Sequence, residues 1–254
     1  MKSNGQLLKT FQEVKDKFTL ITHSETTCDY KWCIDNNLPV NVIFNGISLS
    51  EFDNSINFRE KYEIKEKYVL FSPSNYFYGK GQGILPDIYR KLSKRLSDFT
   101  IVQVSNSIFY RYDPFFLDSV KRKSQGLNIR FLRDLPREDI IAAFKCSDVF
   151  LFTSLKEISP LVILESRAAG LPFVSLNVGD IGEQSGGITI QPSKYDNKGY
   201  VKVDGKIIEK YCDEIFNILT LEGFRDNLIK QGREGIEKRD WDNIVPLYEE
   251  LFRK

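Results

Sequence analysis

No stretch of this 254-residue chain is apolar over the roughly 20 consecutive residues that a membrane-spanning helix needs. The first ten residues, Met1 to Thr10, lack the apolar run of a secretory signal. Both absences lead to the expectation of a cytoplasmic protein, with room for peripheral contact at a membrane surface. An excess of either charge is also lacking: 36 Lys and Arg stand against 35 Asp and Glu, for a net charge of +1. That balance gives no electrostatic reason to expect nucleic acid as a partner, and it argues against a strongly basic membrane-binding face. Only four cysteines occur, Cys28, Cys33, Cys146 and Cys212, with no CxxC pair. His23, Cys28 and Cys33 match no usual zinc spacing, so ordinary reduced or packed thiols are expected and no metal site. There is no internal repeat, no low-complexity segment, no GxGxxG and no Walker A loop, which weakens dinucleotide-binding and ATPase readings.

What is present is an ordinary globular composition, 41% hydrophobic and 28% charged, long enough for one large core or two modest ones. Residues 1–17 read as an amphipathic helix, with Leu7, Leu8, Phe11 and Val14 at helical spacing. A strand at 18–22, a helix at 29–36 and a strand at 40–44 follow, closed by the turn signal Asn45-Gly46. Residues 47–66 are charged and aperiodic, which suggests a linker. A regular alternation then begins. Strands are expected at 68–71, 99–104, 128–132, 148–153, 172–176 and 187–190. Helices are expected at 84–96, 136–146 and 160–169, the last one ended by Gly170. The tail from about Gly205 reads as two or three helices, the last starting at Trp241. Several of the strands are continuous apolar runs, the mark of strands covered on both faces. The alternation therefore predicts an α/β fold, a doubly wound parallel sheet of Rossmann-like type.

Such sheets bind ligands at the carboxyl ends of their strands, so the loops after Phe71, Val104, Leu132 and Thr153 are where chemistry is expected. After Thr153, Glu157 sits in a loop and Glu165 lies eight residues on, inside a helix among Val162, Ile163, Leu164, Ala168 and Ala169. A carboxylate there is costly to bury unless something hydrogen-bonds it. A ribose diol does this well, and the helix start around Ser159, Pro160 and Leu161, with its free N–H groups, suits a phosphate. A solvent-facing Glu165 and a loop-surface Glu157 are the plain alternative. Lys80, between Gly79 and Gly81 with Gly83 beyond, offers a point charge on a backbone that a ligand can approach closely; a simple turn is the alternative. Arg133, in Phe131-Leu-Arg-Asp-Leu-Pro136, could reach a base or phosphate, or form a surface ion pair.

Read together, these pieces resemble the C-terminal domain of the family-4 retaining glycosyltransferases, over roughly residues 38–250. Glu157 and Glu165 meet the Glu–seven residues–Glu motif, and Ser166-Arg-Ala-Ala-Gly-Leu-Pro-Phe-Val-Ser175 follows it in the family's manner. Asn45-Gly46, Lys80-Gly81, Asp148-Val-Phe-Leu-Phe-Thr-Ser154, Val178-Gly179-Asp180 and Gly186-Gly187-Ile188 are similar too. The resemblance implies the C-terminal half of a GT-B fold and transfer of a sugar from a UDP-, GDP- or ADP-sugar to a glycan, lipid or protein acceptor, as in polysaccharide biosynthesis. It implies that Lys80, with Gly81, binds the donor diphosphate. Glu165 would hold the ribose, and Glu157 would face the transferred sugar. Ser159, Pro160 and Leu161 would contact sugar hydroxyls and phosphate, and Arg133 and Leu135 would lie near the base. No metal cofactor is expected. Asn75 stands where the family usually has an Arg, which leaves one diphosphate cation missing.

Length departs from the family as well. Residues 1–46 resemble only the final strand–helix–strand unit of an N-terminal GT-B domain. After the linker at 47–66, residues 67–238 would form the nucleotide-sugar domain, and 239–254 a helix crossing back. Exposed Phe11, Trp32 and Trp241 are expected to seek a partner chain supplying the missing N-terminal domain. The alternatives to an active transferase are a donor-binding subunit that needs a separate acceptor domain, and an inactive remnant.

Overall fold

The computed structural model describes residues 2–14, 17–53, 56–106 and 114–253. Helix α1 (Lys2–Val14) leads into a small unit of strand β1 (Leu20–Thr22), helix α2 (Cys28–Asp35) and strand β2 (Val40–Val42). The strands pair in parallel, and Ile43 N–H donates to Thr22 O at 2.9 Å, extending the ladder by one residue. Both strands are shorter than the apolar runs that announced them, since only the paired residues hold strand geometry.

Residues 47–66 are not a free linker. They hold a 3-10 turn (Leu49–Asp53) and the short helix α3 (Phe58–Lys61). Ile47, Phe52, Phe58 and Ile64 are buried. Each anchors a different turn of chain, which is why no period linked them. Arg59 fastens the segment further, with Nη2 at 2.7 Å from Asp148 Oδ2 and Nε donating to Cys146 O at 2.8 Å.

The main body is a six-stranded, wholly parallel sheet. Its strands are β3 (Tyr68–Pro73), β4 (Phe99–Ser105), β5 (Ile129–Arg133), β6 (Val149–Phe152), β7 (Phe173–Leu176) and β8 (Gly187–Ile190). Their order is β5-β4-β3-β6-β7-β8. Helices α4 (Leu85–Leu92), α5 (Pro114–Lys123), α6 (Arg137–Cys146) and α7 (Leu161–Ala169) connect the strands, and α8 (Gly205–Thr220), α9 (Phe224–Arg233) and α10 (Trp241–Phe252) complete the chain. The expected doubly wound α/β class is the one observed. β4, β6 and β7 are buried along their whole length, as continuous apolar strands should be. Phe144 on α6 packs edge-on against Phe71 and Phe150, with ring centroids 4.9 and 5.5 Å apart. Each such buried ring contributes about 1.5–3 kcal/mol through lost water contact.

Two differences from the sequence-based expectation have simple causes. α4 is shorter than the expected 84–96: a 3-10 turn (Gln82–Ile84) precedes it, and Asp98 adopts φ 55° just before β4. α5 gave no periodic signal: among its described side chains the fully buried apolar ones are Leu117 and Val120, followed by Lys121, Arg122 and Lys123.

The N-terminal unit and the C-terminal helix meet. Ile47 and Asp240 form a parallel bridge, and Trp241 N–H donates to Ile47 O at 3.1 Å. The Trp241 ring lies against Gly46, where a Cβ would come within 2.5 Å of it. Trp241 is thus a lid on the Asn45-Gly46 turn and is 37% exposed. Phe11 is likewise engaged, edge-on to Phe18 (5.3 Å) and Trp32 (6.0 Å). All three rings make contacts inside the chain, with Trp241 still exposed and Phe11 and Trp32 half-buried. All four cysteines are free thiols, with Cys33 and Cys212 buried. No helix of the described residues is long and apolar enough to cross a membrane.

Candidate functional site at the strand ends

Strand order reverses between β3 and β6: β4 and β5 lie to one side, β7 and β8 to the other. The connections after β3 and β6 run to opposite sides of the sheet, towards β4 and β7, and a crevice opens at this switch point. A cavity of about 500 Å³ fills it. The ends of four strands wall it: Ser74 and Asn75 after β3, Asn106 after β4, Asp134 and Leu135 after β5, and Glu157 after β6. Pro160, Leu161, Val162 and Glu165 close it from α7, and Arg137 from α6.

The β3 and β6 loops are stitched to each other. Leu155 N–H and Ser154 Oγ both donate to Gly79 O, at 2.8 and 3.2 Å, and Thr153 Oγ1 donates to Lys80 O at 3.0 Å. Gly81 is in the left-handed region, φ 71°, with the Thr153 carbonyl packed against it. This close approach sets Lys80 against Glu157, with Nζ 2.5 Å from Oε1. Ser154 Oγ donates to the same Glu157 oxygen at 2.6 Å. The Glu157 side chain is 11% exposed and that of Lys80 33%, so the pair sits at the cavity wall with an open side.

α7 begins at Leu161 behind Pro160, and no side chain caps it. Its first N–H groups and the positive end of its dipole meet the cavity, a natural anion site. One turn on, Glu165 is pinned by Arg137, Nη1 to Oε1 at 2.5 Å. Burial pushes the Glu165 carboxyl above its ordinary value, and the pull of Arg137 in the other direction does not fully offset it. A carboxylate in that position gains from further hydrogen-bond donors. Arg137 also reaches back, with Nη2 and Nε donating to Glu51 Oε2 at 2.7 and 3.0 Å.

Of the residues singled out in sequence, Asn75, Lys80, Leu135, Glu157, Pro160, Leu161 and Glu165 line this one cavity. Gly81, Arg133 and Ser159 are not among its walls. Gly81 supports the wall from beneath. Arg133 is exposed at the end of β5. Ser159 accepts from Asn45 Nδ2 at its carbonyl (2.9 Å) and donates from Oγ to Asp180 Oδ2 (2.7 Å), tying the small N-terminal unit to the α7 start. Ser24 Oγ, bonded to Glu183, makes a second tie. Arg137 is a wall residue that the sequence motifs do not pick out. Its one signal is a local conflict: a cation in the first turn of a helix faces the like-signed end of the dipole, so it implies an acidic partner.

Another hollow, beside α4 and α8, carries Arg90, Lys91 and Arg95. Each of these three is matched by an acid, Asp87, Glu209 and Asp213 respectively. Among the described residues no group of three or more His, Cys, Asp and Glu side chains is placed to hold a metal ion.

A doubly wound domain of GT-B, Rossmann-like type, with its ligand crevice at the reversal of strand order, is the class that this architecture defines. The chain belongs to the glycosyl transferases group 1 family, whose model matches residues 66–202. An uncharacterized glycosyltransferase of Methanocaldococcus jannaschii, MJ1607, is 26% identical over 220 residues, covering 81% of this chain and 52% of that one. The D-inositol 3-phosphate glycosyltransferase of Corynebacterium urealyticum is 25% identical over 125 residues, 49% of this chain and 27% of that one. The chain thus spans about half the length of the first relative and about a quarter of the second. Anabaena HepE, solved in complex with UDP-glucose, matches with a TM-score of 0.73 at 18% identity, covering 97% of this chain and 67% of that chain.

Proposed function

We propose that the cavity binds a nucleoside-diphosphate sugar and that the chain forms the donor half of a retaining, family-4 glycosyltransferase acting on a glycan, lipid or protein acceptor. The observation that carries this is the convergence of Lys80, Glu157, Glu165 and the uncapped start of α7 on one cavity. Glu165 accepts from the ribose hydroxyls, which supply the donors that its buried carboxyl lacks. Lys80 and the α7 amides take the diphosphate. As the bond from the sugar's anomeric carbon to the diphosphate breaks, negative charge grows on the leaving oxygen, where these groups are already oriented. Glu157 faces the sugar. The HepE complex with UDP-glucose supports the donor class, since that protein shares the fold.

A thermal-shift panel of UDP, GDP and ADP tests the reading. One nucleotide should raise the melting temperature by mass action. Glu165→Ala should weaken its binding by about 1.5–3 kcal/mol, the range for a hydrogen bond to a charged group. No shift with any of the three at millimolar concentration would instead favour a ligand-free remnant.

A second reading concerns the part of the archaeal relative that this chain does not match, about half of its length. In it, the chain binds the donor but transfers sugar only with a separate acceptor-binding part. Co-purification of a complex with transferase activity that the chain alone lacks would separate the two.

A further inference from the structure

We infer that Arg137 is a positioning residue for the donor site, holding the Glu165 carboxylate ionised and aimed at the cavity while Glu51 anchors the guanidinium from behind. This rests on the nucleotide-sugar reading above.

The geometry is a three-member chain. Arg137 Nη1 meets Glu165 Oε1 at 2.5 Å, and its Nε and Nη2 both grip Glu51 Oε2. Such a two-sided grip fixes the plane of the guanidinium, because its donors form a rigid fork. One oxygen of Glu165 is thereby held. Among the described residues Arg137 is the one ion-pair partner of Glu165. The three groups come from three segments: Glu165 from α7, Arg137 from the first turn of α6, and Glu51 from the 3-10 turn between the N-terminal unit and the main sheet. Lys80 and Glu157, across the cavity, neutralise each other. Asp139, two residues from Arg137, is held by Lys61 Nζ and the Tyr62 hydroxyl, both at 2.6 Å. Asp134 adds a further carboxylate to the cavity wall, at the end of β5. Arg167 of α7 points away, donating to Gly232 O.

The two neighbours act on Glu165 with opposite sign. Arg137 lowers the proton affinity of its carboxyl, and Glu51 raises it. Ribose hydroxyls donate to the ionised form, so donor affinity falls as pH drops through the Glu165 titration. Removing the Arg137 charge moves that acid limb to higher pH. Removing the Glu51 charge moves it to lower pH. A variant that merely loosens the fold does not produce two displacements of opposite sign.

The experiment is calorimetric titration across pH with UDP-, GDP- and ADP-glucose, whose diphosphate diester keeps its charge over the range. Arg137→Gln should lower affinity modestly at about pH 8, where the aim of the carboxylate is lost, and much more on the acid side, because the limb moves upward; a limb displaced by about one pH unit means a further tenfold loss there. Glu51→Gln should move it downward, and Arg137→Lys should restore part of the parent profile. Carboxyl carbon NMR of Glu165 in the free protein reads the same two displacements without any ligand. If no sugar nucleotide binds the parent, the functional reading fails while the NMR titrations still judge the three-residue relation. Equal loss of affinity at every pH in Arg137→Gln would make the residue a direct donor contact, and an unmoved Glu165 titration in both variants would make it a structural tie. Either result overturns the inference.

Discussion

Lys80 Nζ lies 2.5 Å from Glu157 Oε1, so the cation proposed to bind a diphosphate is held by the acid proposed to face the sugar. A diphosphate entering the cavity must draw Lys80 away from that partner or share it. The pair is partly exposed, so it is worth little to stability by itself. Its interest is as a competition.

That competition sets the effect of removing Lys80. Lys80→Ala should weaken binding of the diphosphate much more than binding of the bare nucleoside, because the charge acts on phosphate alone. A charge-assisted contact of this kind is worth about 1.5–3 kcal/mol, or roughly ten- to a hundredfold in affinity. Calorimetry with UDP and uridine, or the corresponding pair for the preferred base, makes the comparison. Equal losses for the two ligands would remove Lys80 from the phosphate site.

The opposite substitution has a different sign. Glu157→Ala releases Lys80 from its only charged partner among the described residues, so donor binding should be kept or should tighten. Sugar transfer should nevertheless be lost, since the carboxylate that faces the sugar is gone. The check is donor affinity measured beside product formation in the active assembly. Transfer at the parent rate would exclude a catalytic role for Glu157.

Much of the fold and of the site is legible in the sequence, for a physical reason. Strands such as Phe99–Ser105 are apolar runs because both faces are buried, and that signal is local to the sequence. Glu165 stands out because a charge inside an apolar helix is locally costly, Lys80 because it sits among glycines, and Glu157 because it lies in the loop after a strand, with seven residues between it and Glu165. The contributions of Arg137 and Glu51 are not local. They lie 86 positions apart and meet only through the fold. The same holds for Phe52 and Phe58, whose irregular spacing reads as a linker although each is buried against the main body. α5 stays silent because two fully buried side chains do not make a periodic pattern.

The glycine next to Lys80 offers a test of how rigidly that lysine is placed. Gly81 has φ 71°, a conformation that an L side chain adopts only with strain, and an added Cβ would collide with the Thr153 carbonyl oxygen. Backbone cannot swing aside as a flexible side chain does, so the β3 and β6 loops would have to separate. The hydrogen bonds of Leu155 N–H and Thr153 Oγ1 to Gly79 O and Lys80 O hold them together. Gly81→Ala should therefore destabilise the protein by about 2–4 kcal/mol, combining left-handed strain with overpacking. It should also misplace Lys80, and so weaken diphosphate binding even at temperatures where the variant is folded. Urea denaturation measures the first effect and calorimetry the second. A variant as stable as the parent that binds nucleotide equally well would mean that the two loops are not locked together at this point. Lys80 would then owe its position to Glu157 alone.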